Sequence, residues 1–283
     1  YPDDLKKATR LDPVALRRSE DCYVDSLFAD APFEGAPLLA ALLPRAYVDL
    51  NREPFEIDPA LVDGSIPDWC NTTSLRVSVG LGTVPRVVGD GQPIYHDRLP
   101  IQEVFRRIER YYRPYHRELA RLIEETKARF GYAVLIDAHS MPSQAVSPLR
   151  PAWASRAEAF GIDRGQSKTW ASRSAAGRSG PDIVLGDCYG TACSQGITQK
   201  VDEFLSAHGL KVARNTPYAG GYTTRHYGRP TEGVHALQIE INRSLYMNER
   251  TLEPNDGLGA LRPVLTKLIG HLGENQLALD AAE

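Results

Sequence analysis

The fold class is indicated by residues 101–140, which read IQEVFRRIERYYRPYHRELARLIEETKARFGYAVLIDAHS. Over residues 101–130 apolar side chains recur at spacings of three and four, which predicts helix. Pro114 should interrupt this helical stretch, giving two helices or one kinked helix, and Gly131 should end it. The short apolar run at 132–136 is typical of a buried strand. The stretch therefore predicts a helix that leads into a buried strand.

The rest of the chain repeats this alternation. Helical spacing predicts a second helix over 195–208, which Gly209 should end. Strands that alternate with helices indicate an α/β fold with a mixed, mostly parallel sheet and helices on both faces. A chain of this length can bury a large core without disulfides, and length allows one large domain or two small ones equally. The other apolar runs that resemble buried strands are 46–50, 182–185, 211–213 and 234–241.

The composition argues against several classes of function. The chain has 33 Lys and Arg against 36 Asp and Glu, so nonspecific binding to nucleic acid is not expected. No apolar run approaches the roughly 18 residues of a membrane span, and the first residues show no signal-peptide pattern. The four cysteines show no CxxC spacing and should be reduced thiols. We expect a cytoplasmic protein with neither a nucleic-acid nor a membrane partner.

Two polar clusters follow predicted buried strands. In the first, Asp137 and His139 should share one side of the chain because side chains alternate along a strand. A carboxylate beside an imidazole can orient a metal-binding histidine or tune a base, although His139 could also simply cap the strand. In the second, Glu240 lies between two isoleucines, which suits a general base with a raised pKa. It could equally point to solvent.

Further polar segments could bind an anionic ligand. Asn51 and Arg52 end the run DLNR, where an arginine can grip a carboxylate with two bonds or form a structural ion pair. The glycine-flanked segment 220–229 should form a loop that can close over an anion, and it carries Arg225, His226 and Arg229. The Ser- and Arg-rich segment 141–181 should be a long loop that could wall the site, or a surface insertion.

Acidic residues near the start of the chain are a further candidate group. Asp21 and Asp25 are four residues apart and would share one face of a helix. The ordinary interpretation is a helix whose first turn carries acids that favour its dipole. A metal-ligand role becomes reasonable only together with His139. No Walker loop and no GxGxxG, GxSxG or HExxH motif occurs, which removes the commonest nucleotide-binding, serine-hydrolase and zincin interpretations.

Taken together, four segments resemble the N-formylglutamate amidohydrolase (deformylase) family. They follow in the family's order, cover most of the chain and match least well after Ser143. They are SEDCYVDSLF (19–28), YVDLNR (47–52), VLIDAHSMPS (134–143) and GGYTTRHYGRPTEGVHALQIEINRSLYM (220–247). The family is related in fold to zinc carboxypeptidases and aspartoacylase-like deacylases. The resemblance therefore implies a three-layer α/β fold of that kind, in a single amidohydrolase domain over residues 1–283.

The resemblance also implies an activity, which is the hydrolysis of N-formyl-L-glutamate to formate and L-glutamate in histidine catabolism. It implies one zinc ion per chain and a small-molecule N-acyl amino acid as substrate. The family normally carries a first strand with a His-Ser-Gly motif, whose histidine binds zinc. This chain starts just after the position of that motif, so either the strand lies upstream of residue 1 or the zinc site here is incomplete. Two other functions stay open: a related deacylase for another N-acyl amino acid, and a non-catalytic relative that binds such a ligand.

Roles carry over to matching positions of this chain. His139 resembles the metal-binding histidine, with Asp137 behind it, and Asp21 is the preferred acidic ligand, with Glu20 and Asp25 as rivals. Glu240 resembles the general base. Asn51 and Arg52 resemble the family's Asn-Arg pair, which binds the α-carboxylate of the substrate. A second carboxylate would need a further cation, for which Arg225, His226 and Arg229 are the candidates.

Overall fold

The computed structural model describes residues 1–89, 91–146 and 180–274. Six strands lie within these ranges: β1 Val62–Asp63, β2 Leu99–Pro100, β3 Ala133–Met141, β4 Ile183–Gly186, β5 Val212–Arg214 and β6 Val234–Asn242. The α-helices are Asp3–Ala8, Pro13–Arg17, Val24–Leu27, Leu75–Ser78, Ile101–Arg107, Arg113–Phe130, Ser143–Val146, Gln195–Ala207, Tyr222–Tyr227 and Asp256–Glu274. In the described part of the chain, three short 3₁₀ turns cover Ala31–Glu34, Pro230–Glu232 and Arg243–Leu245.

The helical stretch predicted over 101–130 is present, and it consists of two α-helices, as the prediction from Pro114 allowed. A π-helical turn, Ile108–Tyr112, joins Ile101–Arg107 to Arg113–Phe130, and we call the whole the long helix. Pro114 is the second residue of Arg113–Phe130 and follows the π-helical turn directly, so the change in helix type occurs next to the proline. Gly131 ends it at a φ of 83°, a conformation that glycine adopts without strain.

The strands form a mixed α/β fold, as predicted. β1 pairs with β2 in parallel, and a four-stranded sheet has the order β3-β6-β4-β5. β4 runs parallel to β5 and antiparallel to β6, with Val184 opposite Glu240. All nine residues of β6 are buried, and four of them are polar: His235, Gln238, Glu240 and Asn242.

The chain divides into two compact units. Unit 1 comprises 1–22, 39–135 and 221–236, and unit 2 comprises 23–38, 136–220 and 237–283, so the division runs through β3 and β6. The core of unit 1 gathers apolar side chains of the long helix, the β1–β2 pair and the segment 46–48. In unit 2 the apolar residues of β4 and of the part of β6 from Leu237 onward are fully buried. A single domain over residues 1–283 stays a prediction.

The prediction of a strand at 46–50 is wrong. No strand forms there because side chains bind the backbone groups that a strand would use. The Ala46 carbonyl accepts a bond from the Tyr95 hydroxyl at 3.1 Å, and the Tyr47 carbonyl accepts one from Arg107 Nη1 at 3.2 Å. The segment is a turn whose buried apolar side chains face the core. Periodicity cannot separate this arrangement from a short strand.

Other boundaries also differ from the expectations. β3 continues to Met141, so Asp137 and His139 lie inside the strand and not after it. Residues 222–227 form a helix where a loop was expected. Asp21 lies outside a helix that begins only at Val24, because Tyr23 before it has a left-handed φ of 63°. Most of the loop predicted at 141–181 lies outside the described residues.

Candidate active site

In unit 2, β3 presents an imidazole paired with a carboxylate. His139 Nε2 lies 2.9 Å from Asp137 Oδ1, and the two side chains are 13% and 10% exposed. Strand alternation places both on one side, which confirms that part of the prediction. The bond fixes the plane of the imidazole ring, as it does in proteins where a carboxylate orients a metal-binding histidine.

The neighbouring strand β6 carries the predicted base. Glu240 is buried, and its Oε1 accepts a hydrogen bond of 2.7 Å from Gln238 Nε2, two residues earlier on the same face. A carboxylate in such a place needs bonded partners, because burial away from water penalises its charged form. Gln238 supplies one such bond and fixes the direction of the carboxylate.

In unit 1, the long helix holds the loop that contains Asn51. His116 Nε2 lies 2.9 Å from the Leu50 carbonyl and must donate, since a carbonyl only accepts. The Tyr112 hydroxyl donates to the Arg52 carbonyl at 2.7 Å. Tyr112 ends the π-helical turn and its ring lies 4.2 Å from that of His116, so the turn helps to present both polar groups to the loop. π-helical turns are often found at functional sites.

The Asn51 side chain is packed tightly beneath the helix 222–227. Its Oδ1 accepts the backbone N–H of Thr223 at 2.8 Å, and a Cβ on Gly221 would lie 2.3 Å from its Nδ2. The φ of Gly221 is −83°, which any residue can adopt. Glycine is therefore required at 221 for the close approach of Asn51 and not for its backbone conformation.

Arg52 is fully engaged with protein acceptors. Its Nη2 lies 3.1 Å from Asp49 Oδ2, Nη1 donates to the Asn51 carbonyl and Nε donates to the Leu81 carbonyl. Burial lowers the pKa of Arg52, and the charge of Asp49 opposes this shift. The substrate-binding role of Arg52 stays a prediction, but these bonds favour a structural one.

The carboxylates near Arg52 form an ion-pair chain. Arg45 bonds to both Asp21 and Asp49, each at 3.0 Å. Burial alone would raise the pKa of Asp49, but Arg45 and Arg52 outweigh it and hold that pKa below its usual value. Asp21, the preferred acidic ligand, is thus paired with a guanidinium. Of its rivals, Glu20 pairs with Arg17 and Asp25 is exposed in the first turn of a short helix.

An open cleft of about 380 Å³ lies in unit 1. Its lining residues are Glu53, Glu56, Ser74, Leu75, Arg76, Tyr222 and Arg225. Arg225 was predicted to bind substrate, and the structure places it at this cleft together with Arg76, which the sequence did not single out. Arg76 belongs to no recognisable motif, and only the fold brings it to the cleft that Arg225 also lines.

The other two residues predicted on this segment lie at the surface. His226 stacks on Tyr222 with ring centres 4.9 Å apart, and burial together with the charge of Arg229 lowers its pKa. Arg229 is exposed and lies 3.5 Å from Glu232. Neither lines the cleft.

Comparison with known proteins decides the family. A family model described as N-formylglutamate amidohydrolase matches residues 1–247. The chain belongs to the N-formylglutamate amidohydrolase family. A curated relative named N-formylglutamate deformylase, from Pseudomonas aeruginosa, is 30% identical over 233 residues, 81% of this chain and 71% of its own. One from Pseudomonas putida is 28% identical over 81% of this chain and 71% of its own.

Solved structures agree with this result. The crystal structure of an N-formylglutamate amidohydrolase from Ralstonia eutropha shares 37% identity and a TM-score of 0.80, covering 97% of this chain and 89% of that one. A gene product of Agrobacterium tumefaciens, at 18% identity and a TM-score of 0.52, shares the fold alone; the match covers 96% of this chain and 80% of that one. Membership in the amidohydrolase family confirms the predicted enzyme class and fold.

The zinc site that the family resemblance implies is not complete among the described residues. Residues 1–89, 91–146 and 180–274 contain no group of three His, Cys, Asp or Glu side chains placed to hold a metal ion. Catalytic zinc takes three protein ligands and a water molecule. His139 with Asp137 has the form of one ligand and its orienting carboxylate, so the described residues do not fit the ion by themselves.

Two smaller expectations can also be compared with the structure. The four cysteines, Cys22, Cys70, Cys188 and Cys193, are free thiols, as expected. Across the described part of the chain, no helix is both long and apolar enough to cross a membrane.

Proposed function

We propose that this amidohydrolase cleaves the amide bond of N-formyl-L-glutamate, giving formate and L-glutamate. The names of the Pseudomonas and Ralstonia relatives support this substrate. The observation that carries the proposal is the Glu240 carboxylate, which is buried in β6 and oriented by Gln238. A buried, directed carboxylate is suited to take a proton in hydrolysis.

Glu240 acts as the general base. It takes a proton from water as the water oxygen attacks the formyl carbon, and it passes that proton to the nitrogen when the C–N bond breaks. One water molecule is consumed for each formate and glutamate released. Gln238 keeps the carboxylate oxygen aimed during both transfers, since it holds Oε1 at 2.7 Å.

Recognition rests on the glutamate half of the substrate. The formyl group is small and offers little surface for binding, whereas two carboxylates offer charge-assisted hydrogen bonds. Arg225 can supply one such contact from the cleft in unit 1. The long helix holds Asn51 in place by bonds to the carbonyls of Leu50 and Arg52. Asn51 in turn accepts the N–H of Thr223 and so positions the first turn of the helix that carries Arg225.

Glu240→Gln tests the catalytic role. The substitution keeps the shape of the side chain and removes its basicity, so kcat should fall by about 10²–10⁴-fold. Glu253→Gln is the matched control, because Glu253 is an exposed glutamate of the same unit. Both variants should unfold at the wild-type temperature. A Glu240→Gln variant that keeps a third or more of wild-type kcat would refute the role.

One zinc ion per chain, with His139 and Asp21 as ligands, stays a prediction of the resemblance. Metal analysis of the purified wild-type protein and of His139→Ala tests it separately from catalysis. About one equivalent of zinc in the wild type and a clear loss in the variant would support the prediction. Equal zinc content in both proteins would show that His139 is not a ligand.

A further inference from the structure

The cleft in unit 1 has the size and chemistry of a small-molecule site. Its volume of about 380 Å³ falls within the roughly 300–1,000 Å³ typical of ligand pockets. Its lining combines the guanidiniums of Arg76 and Arg225 with the Tyr222 ring and the mostly exposed Leu75. Two cations in one cleft suit a ligand that carries carboxylates.

The segment that carries Arg76 is fixed by local bonds. Ser74 Oγ caps the four-residue helix Leu75–Ser78 by accepting the N–H of Val77 at 3.1 Å. The Arg76 carbonyl accepts the N–H of Leu81 at 2.8 Å. The backbone of Arg76 is therefore held in place before a ligand arrives, which lowers the entropy that binding would cost.

The Arg76 guanidinium itself has no hydrogen bond or ion pair with any of the residues that the structure describes. Arg52 provides the contrast, since its three nitrogen atoms contact the Asp49 carboxylate and two carbonyls. A half-buried guanidinium without acceptors presents its planar set of donors to the cleft.

The surrounding charges favour an anion at Arg76. Burial lowers the pKa of Arg76, and the positive charges of Arg52 and Arg225 lower it further. Glu56 and Asp49 act in the opposite direction and more weakly. The carboxylates of the cleft are themselves bonded: Glu56 accepts the N–H of Glu53, and Glu53 accepts the side chain of Asn71.

We infer that Arg76 binds one of the two carboxylates of the substrate and so selects dicarboxylic N-acyl amino acids. The inference rests on the proposed function for the identity of the substrate. The guanidinium makes a two-pronged contact with the carboxylate, and Arg225 adds positive charge to the same cleft. Arg76 is a specificity residue and takes no part in proton transfer.

Steady-state kinetics with three substrates tests this role. Arg76→Leu should lower kcat/KM for N-formyl-L-glutamate by about 10- to 100-fold, the range expected for a lost charge-assisted bond. It should change kcat/KM by less than about threefold for whichever monoamide, N-formylglutamine or N-formylisoglutamine, lacks the contacted carboxylate. Arg76→Lys should recover only part of the loss, since lysine keeps the charge without the planar fork. Arg10→Leu, at an exposed arginine of the same unit, should match the wild type.

A binding measurement separates this inference from the proposed reaction. Calorimetric titration with glutarate and with its monoamide needs no turnover, and Arg76→Leu should weaken binding of glutarate at least tenfold more than binding of the monoamide. If the wild type hydrolyses no N-formyl amino acid but binds glutarate through Arg76, the proposed function fails and the inference stands. If Arg76→Leu impairs every substrate equally, or leaves N-formylglutamate unaffected, the inference is overturned.

Discussion

Gly221→Ala should unfold the protein more easily because Asn51 occupies the space of the new methyl group. The added Cβ would meet Nδ2, Oδ1 and Cγ of Asn51 at 2.3, 2.4 and 2.6 Å, all far inside van der Waals contact. Asn51 is buried and its Oδ1 accepts the N–H of Thr223, so its side chain cannot move without breaking that bond.

The expected loss can be assembled from its parts. Forcing a methyl group into packed space costs about 1–3 kcal/mol. Leaving the buried N–H of Thr223 without its acceptor costs about 1–3 kcal/mol more. Alanine has less conformational freedom than glycine in the unfolded chain, which offsets roughly 0.4–1 kcal/mol of this loss. The free energy of unfolding should therefore fall by about 1–5.5 kcal/mol.

Urea unfolding followed by circular dichroism measures this loss, with Gly259→Ala as the control. Gly259 lies in the helix Asp256–Glu274 and a Cβ there meets nothing within 4 Å, so that variant should match or exceed wild-type stability. In an Asn51→Ala background the space is open, and Gly221→Ala should then cost less than about 1 kcal/mol. A loss below about 1 kcal/mol in the wild-type background, or an equal loss in both backgrounds, would refute the close-packing argument.

Two further variants test how the Asn51 loop is held. Tyr112→Phe removes the donor to the Arg52 carbonyl and should lower the free energy of unfolding by about 1–2 kcal/mol. Tyr111→Phe is the control and should leave it unchanged, because the Tyr111 hydroxyl makes no hydrogen bond with the described residues. Equal urea midpoints for the two variants would contradict the structure. In Arg52→Lys, the lysine cannot bond Asp49 and the Leu81 carbonyl together, so kcat/KM should fall equally for N-formylglutamate and its two monoamides. If kcat/KM for N-formylglutamate fell more than tenfold further than kcat/KM for one of the monoamides, Arg52 would instead bind the substrate.

The long helix and the buried strands could be predicted because their signals are local. Apolar spacing over 101–130 and the apolar runs before Asp137 and Glu240 follow the periods of helix and strand. The same alternation correctly placed Asp137 and His139 on one side of β3. The family resemblance, carried by four segments, was confirmed by the family model and by the relatives.

The errors arose where distant residues determine local structure. The run at 46–50 has the composition of a strand, yet its carbonyls are bound by Tyr95 and Arg107, about fifty and sixty residues further along. Arg76 stood in no motif, and its place beside Arg225 depends on a contact across about 150 residues of sequence. The π-helical turn at 108–112 also has no sequence signal that separates it from ordinary helix.

The products formed from N-formyl-L-glutamate show whether the protein is a deformylase. The purified protein is incubated with N-formyl-, N-acetyl- and N-succinyl-L-glutamate in parallel, and released glutamate and carboxylic acid are quantified by proton NMR. The structure and its family predict formate and glutamate in equal amounts, with kcat/KM for the formyl substrate at least tenfold above the other two. Faster release of acetate or succinate, or no release from any of the three, would contradict the proposed function.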